Sequence, residues 1–154
     1  MTHPPLPTCP LCQTEGGTLL WRNEKLRVVA VDDEYYPGFV RVIWNDHVAE
    51  MSDLEPSDRA ALMNTVNTVE QAMRTRMQPD KINLASLGNQ VPHLHWHIIP
   101  RYRDDPHFPD PVWAAVRPDH AEALQGEGWR IRRAERQALA LALHDDLRAQ
   151  LRSS

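Results

Sequence analysis

The sequence predicts an α+β fold, an antiparallel five-stranded sheet with one long helix and a second, C-terminal helix. Three observations carry that prediction. Short apolar runs with period-two alternation lie on both sides of a long helical pattern. Strands and helices do not alternate regularly, as a parallel sheet would require. A second helical pattern closes the chain.

Thr18–Arg22 and Leu26–Asp32 are short runs separated by Asn23-Glu24-Lys25, and the second is enriched in β-branched residues at Val28, Val29 and Val31, so the pair reads as a hairpin. Tyr36-Pro37-Gly38 marks a turn. Phe39–Trp44 then reads as a strand, with Phe39, Arg41 and Ile43 on one face and Val40, Val42 and Trp44 on the other. In Ser57–Met77, Leu62, Val66, Val69 and Met73 recur at helical steps; Pro56 and Ser57 start the helix and Pro79 ends it. Lys81–Leu87 and Leu94–Tyr102 are two further strands, joined by Gly88-Asn89-Gln90-Val91-Pro92. Arg103–Gly128 is polar, proline-rich and without clear period, and Arg133–Leu151 is helical, with Leu139, Leu143 and Leu147 four residues apart. The organisation expected is an irregular, proline-rich arm over residues 1–17, a core over 18–102, and an extension of the same domain over 103–154.

The composition narrows the function. At 154 residues the chain can bury a core of its own. A formal net charge of −4 lacks the basic footprint of a protein that wraps a nucleic-acid duplex. No apolar run approaches the ~20 residues that span a bilayer, and Met1–Pro7 does not read as a secretory signal. Two cysteines are too few for a disulfide scaffold, and a reducing, cytoplasmic setting is expected.

Three of the eight histidines fall in His93-Leu94-His95-Trp96-His97. On a strand they share one face, with successive same-face side chains about 6.5–7 Å apart, while Leu94, Trp96 and Ile98 can enter the core. From the residues alone, such a row can be a wetted edge-strand face, a catalytic wall, or a zinc or iron site completed by His47 or Asp104. Cys9-Pro10-Leu11-Cys12 has the spacing of half a zinc site; a redox pair and unliganded thiols are the alternatives.

His93-Leu94-His95-Trp96-His97-Ile98-Ile99 matches the signature in which three histidines alternate with apolar residues and two apolar residues follow. Tyr36–Leu54 and Lys81–Arg101 extend the match, and the chain resembles the histidine triad (HIT) family, in particular its bacterial dinucleoside polyphosphate hydrolases. The resemblance implies that His95 attacks the α-phosphorus of a nucleotide and forms a nucleotidyl-histidine, which water then splits, dividing one hard step into two. A nucleotidyl transferase of the same family, or a nucleotide-binding module with incidental turnover, would carry the same residues. His97 would sit by the phosphate or leaving group, and the backbone around His93 would orient the His95 ring.

Asn83, Asn89 and Gln90 correspond to phosphate-contacting positions, and Asp32 or Asp33, with Asp32 preferred, to an acidic residue on the ribose hydroxyls. Phe39 stands where several members have a histidine, Asn89 replaces the commoner glutamine of the loop, and Gln90 a serine or threonine. No catalytic cofactor is implied. Some bacterial members complete a structural zinc from such a cysteine pair and two histidines, which here are His47 and His93; His3 and His107 are substitutes by residue type. The resemblance also implies a homodimer with one continuous ten-stranded sheet. Trp113, on the proline-rich segment beyond the triad, is a candidate contact to base or leaving group, or a core residue against the C-terminal helix.

Overall fold

The computed structural model describes residues 4–153. Its centre is a fully antiparallel five-stranded sheet of order β1-β2-β3-β5-β4, formed by β1 (Thr18–Arg22), β2 (Leu26–Ala30), β3 (Val40–Trp44), β4 (Lys81–Ala85) and β5 (His95–Arg101). The first hairpin is closed by Asn23, whose Oδ1 accepts from the backbone N–H of Lys25 and of Leu26, both at 2.9 Å. The turn before β3 requires Gly38, which has φ +90°; a Cβ there would also collide with the Met77 thioether.

One sheet face packs against two long helices, α2 (Pro56–Met77) and α4 (Glu127–Arg152). Leu26, Val28, Val40, Val42, Trp44 and Ile98 meet Leu62, Val66, Val69 and Met73 of α2 and Ala140, Leu143, Leu147 and Leu151 of α4 in a single core. The alternation read in Phe39–Trp44 is therefore the division between core and site: Val40, Val42 and Trp44 enter this core, while Ile43 joins a smaller cluster with Val29, Leu11 and Cys9 on the opposite face. A third cluster, Tyr36, Phe39 and Ile99, covers the same opposite face farther along.

Several element ends differ from expectation: β2 stops at Ala30 and not Asp32, β4 at Ala85 and not Leu87, and β5 is one residue shorter at each end. The arm is not wholly irregular: Cys9 precedes a single helical turn, α1 (Pro10–Gln13), started by Pro10. Within the unpatterned stretch lie another short helix, α3 (Pro118–Ala121), and a 3-10 turn at Ala123–Gln125. Helix α4 starts six residues earlier than Arg133, because the early turns carry few apolar residues to set a period. Trp129 is buried, and the arginines bind outward: Arg136 ion-pairs with Asp104 at 2.7 Å and stacks 3.7 Å from the Tyr102 ring centre, while Arg133 donates to the Glu34 carbonyl.

No described helix is long and apolar enough to cross a membrane.

Candidate active site

His95 opens β5, opposite Ile43 of β3, and His97 lies opposite Arg41. Both rings are buried on the sheet face away from α2 and α4. The His95 Nδ1 is 2.6 Å from the His93 carbonyl oxygen. A carbonyl only accepts, so Nδ1 carries the proton and Nε2 keeps its lone pair. Desolvation by burial lowers the His95 pKa, opposed by that carbonyl bond and assisted by the Arg41 charge, so the ring is neutral near pH 7. His97 is pushed down to about 3, by burial first and then by the charges of His95 and Arg41. Its ring lies edge-on to His95 at 4.8 Å between centres, with Phe39 at 5.5 Å and Trp113 at 5.2 Å. The pair amounts to two uncharged rings in an aromatic frame, one of them with a free ring nitrogen.

His93 precedes β5, and its ring is engaged by the N-terminal arm. Its Nε2 donates to the Trp44 carbonyl at 2.6 Å, which directs Nδ1 toward the cysteines, 3.4 Å from Cys9 Sγ and 3.5 Å from Cys12 Sγ. The His47 Nδ1 lies 3.4 Å from Cys12 Sγ, and the four donor atoms all lie within 4.8 Å of one another. A tetrahedral metal with zinc-like bond lengths has ligand–ligand edges of roughly 3.3–3.8 Å. The donor set fits such an ion, and the Trp44 carbonyl fixes the ring of His93 as an outer-sphere partner does. His107 is not part of this cluster; its Nδ1 lies 2.5 Å from the Tyr36 hydroxyl. His3 lies outside the described residues.

The proline-rich segment after β5 is anchored by a buried ion pair that the sequence did not signal. Arg101 binds Asp105 through two nitrogens, at 2.7 and 3.1 Å, and also donates to the Asn83 Oδ1 and the Asp110 carbonyl, both at 2.7 Å. Asp105 further accepts from the Tyr36 hydroxyl and the backbone N–H groups of His107 and Phe108. Burial opposes its ionisation, but the Arg101 and backbone hydrogen bonds hold its pKa below the usual carboxylate value. This network fixes the path to Trp113, which is 51% exposed. The core reading of Trp113 is thereby excluded: it borders His97 and a cavity of about 550 Å³ shared with Asn83, Leu84, Ile99 and Arg101.

Asp32, Asn89 and Gln90 are not brought to His95 as expected. Asp32 is exposed and lines, with Asp33, a cavity of about 540 Å³ against α4. The strand ends at Ala30, so the run to Asp32 is loop, and it is the charge of Asp33 that is felt by Arg41 and His107. Asn89 and Gln90 are exposed on the loop between β4 and β5, because Ser86 leaves the ladder to donate to the His95 carbonyl and the chain then swings outward. Val91 of that loop does reach a third cavity, about 390 Å³, lined by His95, Arg41 and the arm residues Leu11, Thr14, Glu15, Gly16 and Gly17. Arg41 was legible only as one polar residue on a strand face; no spacing ties it to His95 across a strand pair.

Residues 15–104, more than half of the chain, match the HIT domain family, and the chain belongs to that family. Among curated relatives, a bis(5'-nucleosyl)-tetraphosphatase (asymmetrical) of Schizosaccharomyces pombe is 35% identical over 95 residues, 58% of this chain and 52% of its own length. An AP-4-A phosphorylase of Mycobacterium tuberculosis is 26% identical over 110 residues, 68% of this chain and 56% of its own. The chain thus spans about half the length of these relatives. A histidine triad protein of Bradyrhizobium japonicum superposes with a TM-score of 0.66 at 29% identity, covering 86% of this chain and 92% of that one. A zinc-bound histidine triad family protein of Mycobacterium smegmatis shares the fold, with a TM-score of 0.60 at 19% identity over 95% and 96% of the two chains.

Proposed function

We propose that this protein cleaves nucleotides at the α-phosphate, acting on dinucleoside polyphosphates or nucleoside phosphoramidates through a nucleotidyl-His95 intermediate. One observation carries the reading: the Nδ1–H of His95 is tied to the His93 carbonyl, leaving an unprotonated Nε2 beside a cavity lined by a guanidinium. The His95 Nε2–phosphorus bond forms as the bond to the leaving atom breaks, the bridging oxygen of a polyphosphate or the nitrogen of a phosphoramidate. That atom keeps the electron pair, the nitrogen leaving as an amine once protonated. Water then splits the phosphoramidate and releases the nucleoside monophosphate. Wild-type protein mixed with labelled substrate and quenched into denaturant should retain label on His95; an unlabelled protein during active turnover would overturn the mechanism.

The relative named as a phosphorylase supports a second reading, in which inorganic phosphate takes the place of water. A nucleoside diphosphate product that appears only when phosphate is added would select it. A nucleotide-binding module with incidental turnover would bind nucleotide but form either product only slowly.

The remaining assignments are part of this proposal. His97 lies beside the nucleophile as a neutral ring for the phosphate or leaving group. The Asn83 Oδ1 is held by Arg101, which leaves its amide nitrogen as a donor. Asn89 and Gln90 reach phosphate only if their loop closes on it, and the ribose contact passes from Asp32 to Asp33, whose field reaches the site side. Cys9, Cys12, His47 and His93 would hold a structural zinc, and reduced thiols fit a cytoplasmic setting. The zinc would fix the backbone at His93 and therefore the carbonyl that orients His95.

Trp113→Ala should change kcat/KM unevenly across leaving groups, by about tenfold or more for the most affected, with a Tm shift of no more than ~2 °C. Half of the ring is already in solvent, and a lost contact discriminates among substrates. A large Tm loss with uniform kinetic effects would refute a substrate contact.

A homodimer joined at β4 would bury Leu84 and Leu87, exposed at 40% and 53% on and just beyond an edge strand. Light scattering is expected to give twice the chain mass at micromolar concentration, and a monomer there would contradict the continuous ten-stranded sheet.

A further inference from the structure

Two of the arginines on the sheet face that carries His95, Arg27 and Arg41, are satisfied very differently. Arg27 of β2 donates to the carbonyls of Leu11 and Glu15 and to the Asn45 side chain, and it lies 3.7 Å from the Glu15 carboxylate. It staples the arm to the sheet. Arg41 of β3 is half-buried, and among the described residues its one hydrogen bond is from Nη1 to the Gly16 carbonyl at 3.1 Å. Its Nε is buried without a partner, and it makes no ion pair among the described residues. The guanidinium offers five N–H donors, so most of them meet no protein acceptor.

A half-desolvated cation in that state is costly unless an anion completes it. The position tells where that anion would lie. Arg41 is opposite His97 and His95 is opposite Ile43, so Arg41 and His95 are diagonal cross-strand neighbours, within reach of a long side chain. Both line the 390 Å³ cavity. Phe39, 5.7 Å from the guanidinium carbon, backs it on one side. Gly16, at φ +80°, aims its carbonyl at Nη1 and holds the fork in place; a Cβ there would meet Leu11 and Ile43.

We propose that Arg41 is a phosphate-binding residue of this site, receiving non-bridging oxygens of the nucleotide phosphate that stands before His95. The proposal rests on the nucleotide reading above. Guanidinium matches phosphate oxygens in a planar, two-pronged geometry that lysine does not reproduce, so the residue would both neutralise the phosphate and fix its angle to Nε2.

The test is equilibrium binding in a His95→Ala background, where no turnover interferes, using adenosine, AMP and diadenosine tetraphosphate. Charge-assisted hydrogen bonds of this type contribute about 1.5–3 kcal/mol, or roughly 10- to 150-fold in affinity. Arg41→Gln should weaken AMP and diadenosine tetraphosphate by about that factor and leave adenosine within twofold. Arg41→Lys, which keeps the charge but not the fork, should fall between. Equal losses for adenosine and AMP would make Arg41 a mere staple of the Gly16 turn, and unchanged AMP binding would also overturn the assignment, with the nucleotide reading intact in both cases. A His95→Ala protein that binds none of the three ligands would overturn the nucleotide reading and this assignment together.

Discussion

His95→Ala is expected to reduce turnover on the order of 10⁴-fold or more, with the fold and nucleotide affinity retained. Removal of a covalent nucleophile leaves only binding and charge stabilisation to act, and no other ring on this face is placed to replace it. His97 is edge-on to His95, and the ring of His93 faces the cysteines. Residual activity within tenfold of wild type, in protein with an unchanged circular dichroism spectrum, would refute the role. His97→Ala should be the milder change. The pH profile supplies an independent check. In the proposed mechanism His95 acts in its neutral form, and its folded-state pKa is lowered, chiefly by burial. Activity should therefore hold below the ordinary histidine value of ~6.5 and fall only as pH drops through the lowered pKa. An acid limb above that ordinary value would contradict the burial argument.

Protein purified without chelators is expected to contain about one zinc per chain, and Cys9→Ser or His47→Ala should lower zinc content and Tm together. Metal binding to preformed ligands is part of the folding free energy. A loss of even ~3 kcal/mol corresponds to roughly 6–12 °C in a chain of this size. The arm should be the first element released, since Cys9 and Leu11 pack it onto Val29 and Ile43. Gentle removal of the metal should cost more stability than activity, because the His95 chemistry does not require it. His93→Ala should be the exception that harms both, since its side chain belongs to the cluster while its carbonyl positions His95. Metal analysis that finds no zinc would defeat the assignment.

Much of the fold was determined by the sequence itself. Side-chain alternation is a property of any strand, so His95 and His97 had to share a face once β5 formed, and Leu94 and Ile98 had to enter the core. The same local rule divided Phe39–Trp44, and the spacing of Leu62, Val66, Val69 and Met73 was sufficient for α2. The Cys9–Cys12 spacing showed that the two thiols could lie together, as half of a candidate metal site. Tertiary structure decided what spacing along one chain cannot encode, namely which strand lies beside which. Pairing β3 with β5 placed Arg41 next to His95, although 54 positions separate them in the sequence. The arm's return across the sheet brought Cys9 and Cys12 to His93. Ion pairs had the same effect on the last third of the chain: Arg101 with nearby Asp105, and Arg136 with distant Asp104, ordered a stretch without apolar periodicity and left Trp113 beside His97. Apolar period reports burial along one element, whereas the cavities here are walled by four separate segments whose proximity exists only after the sheet has closed.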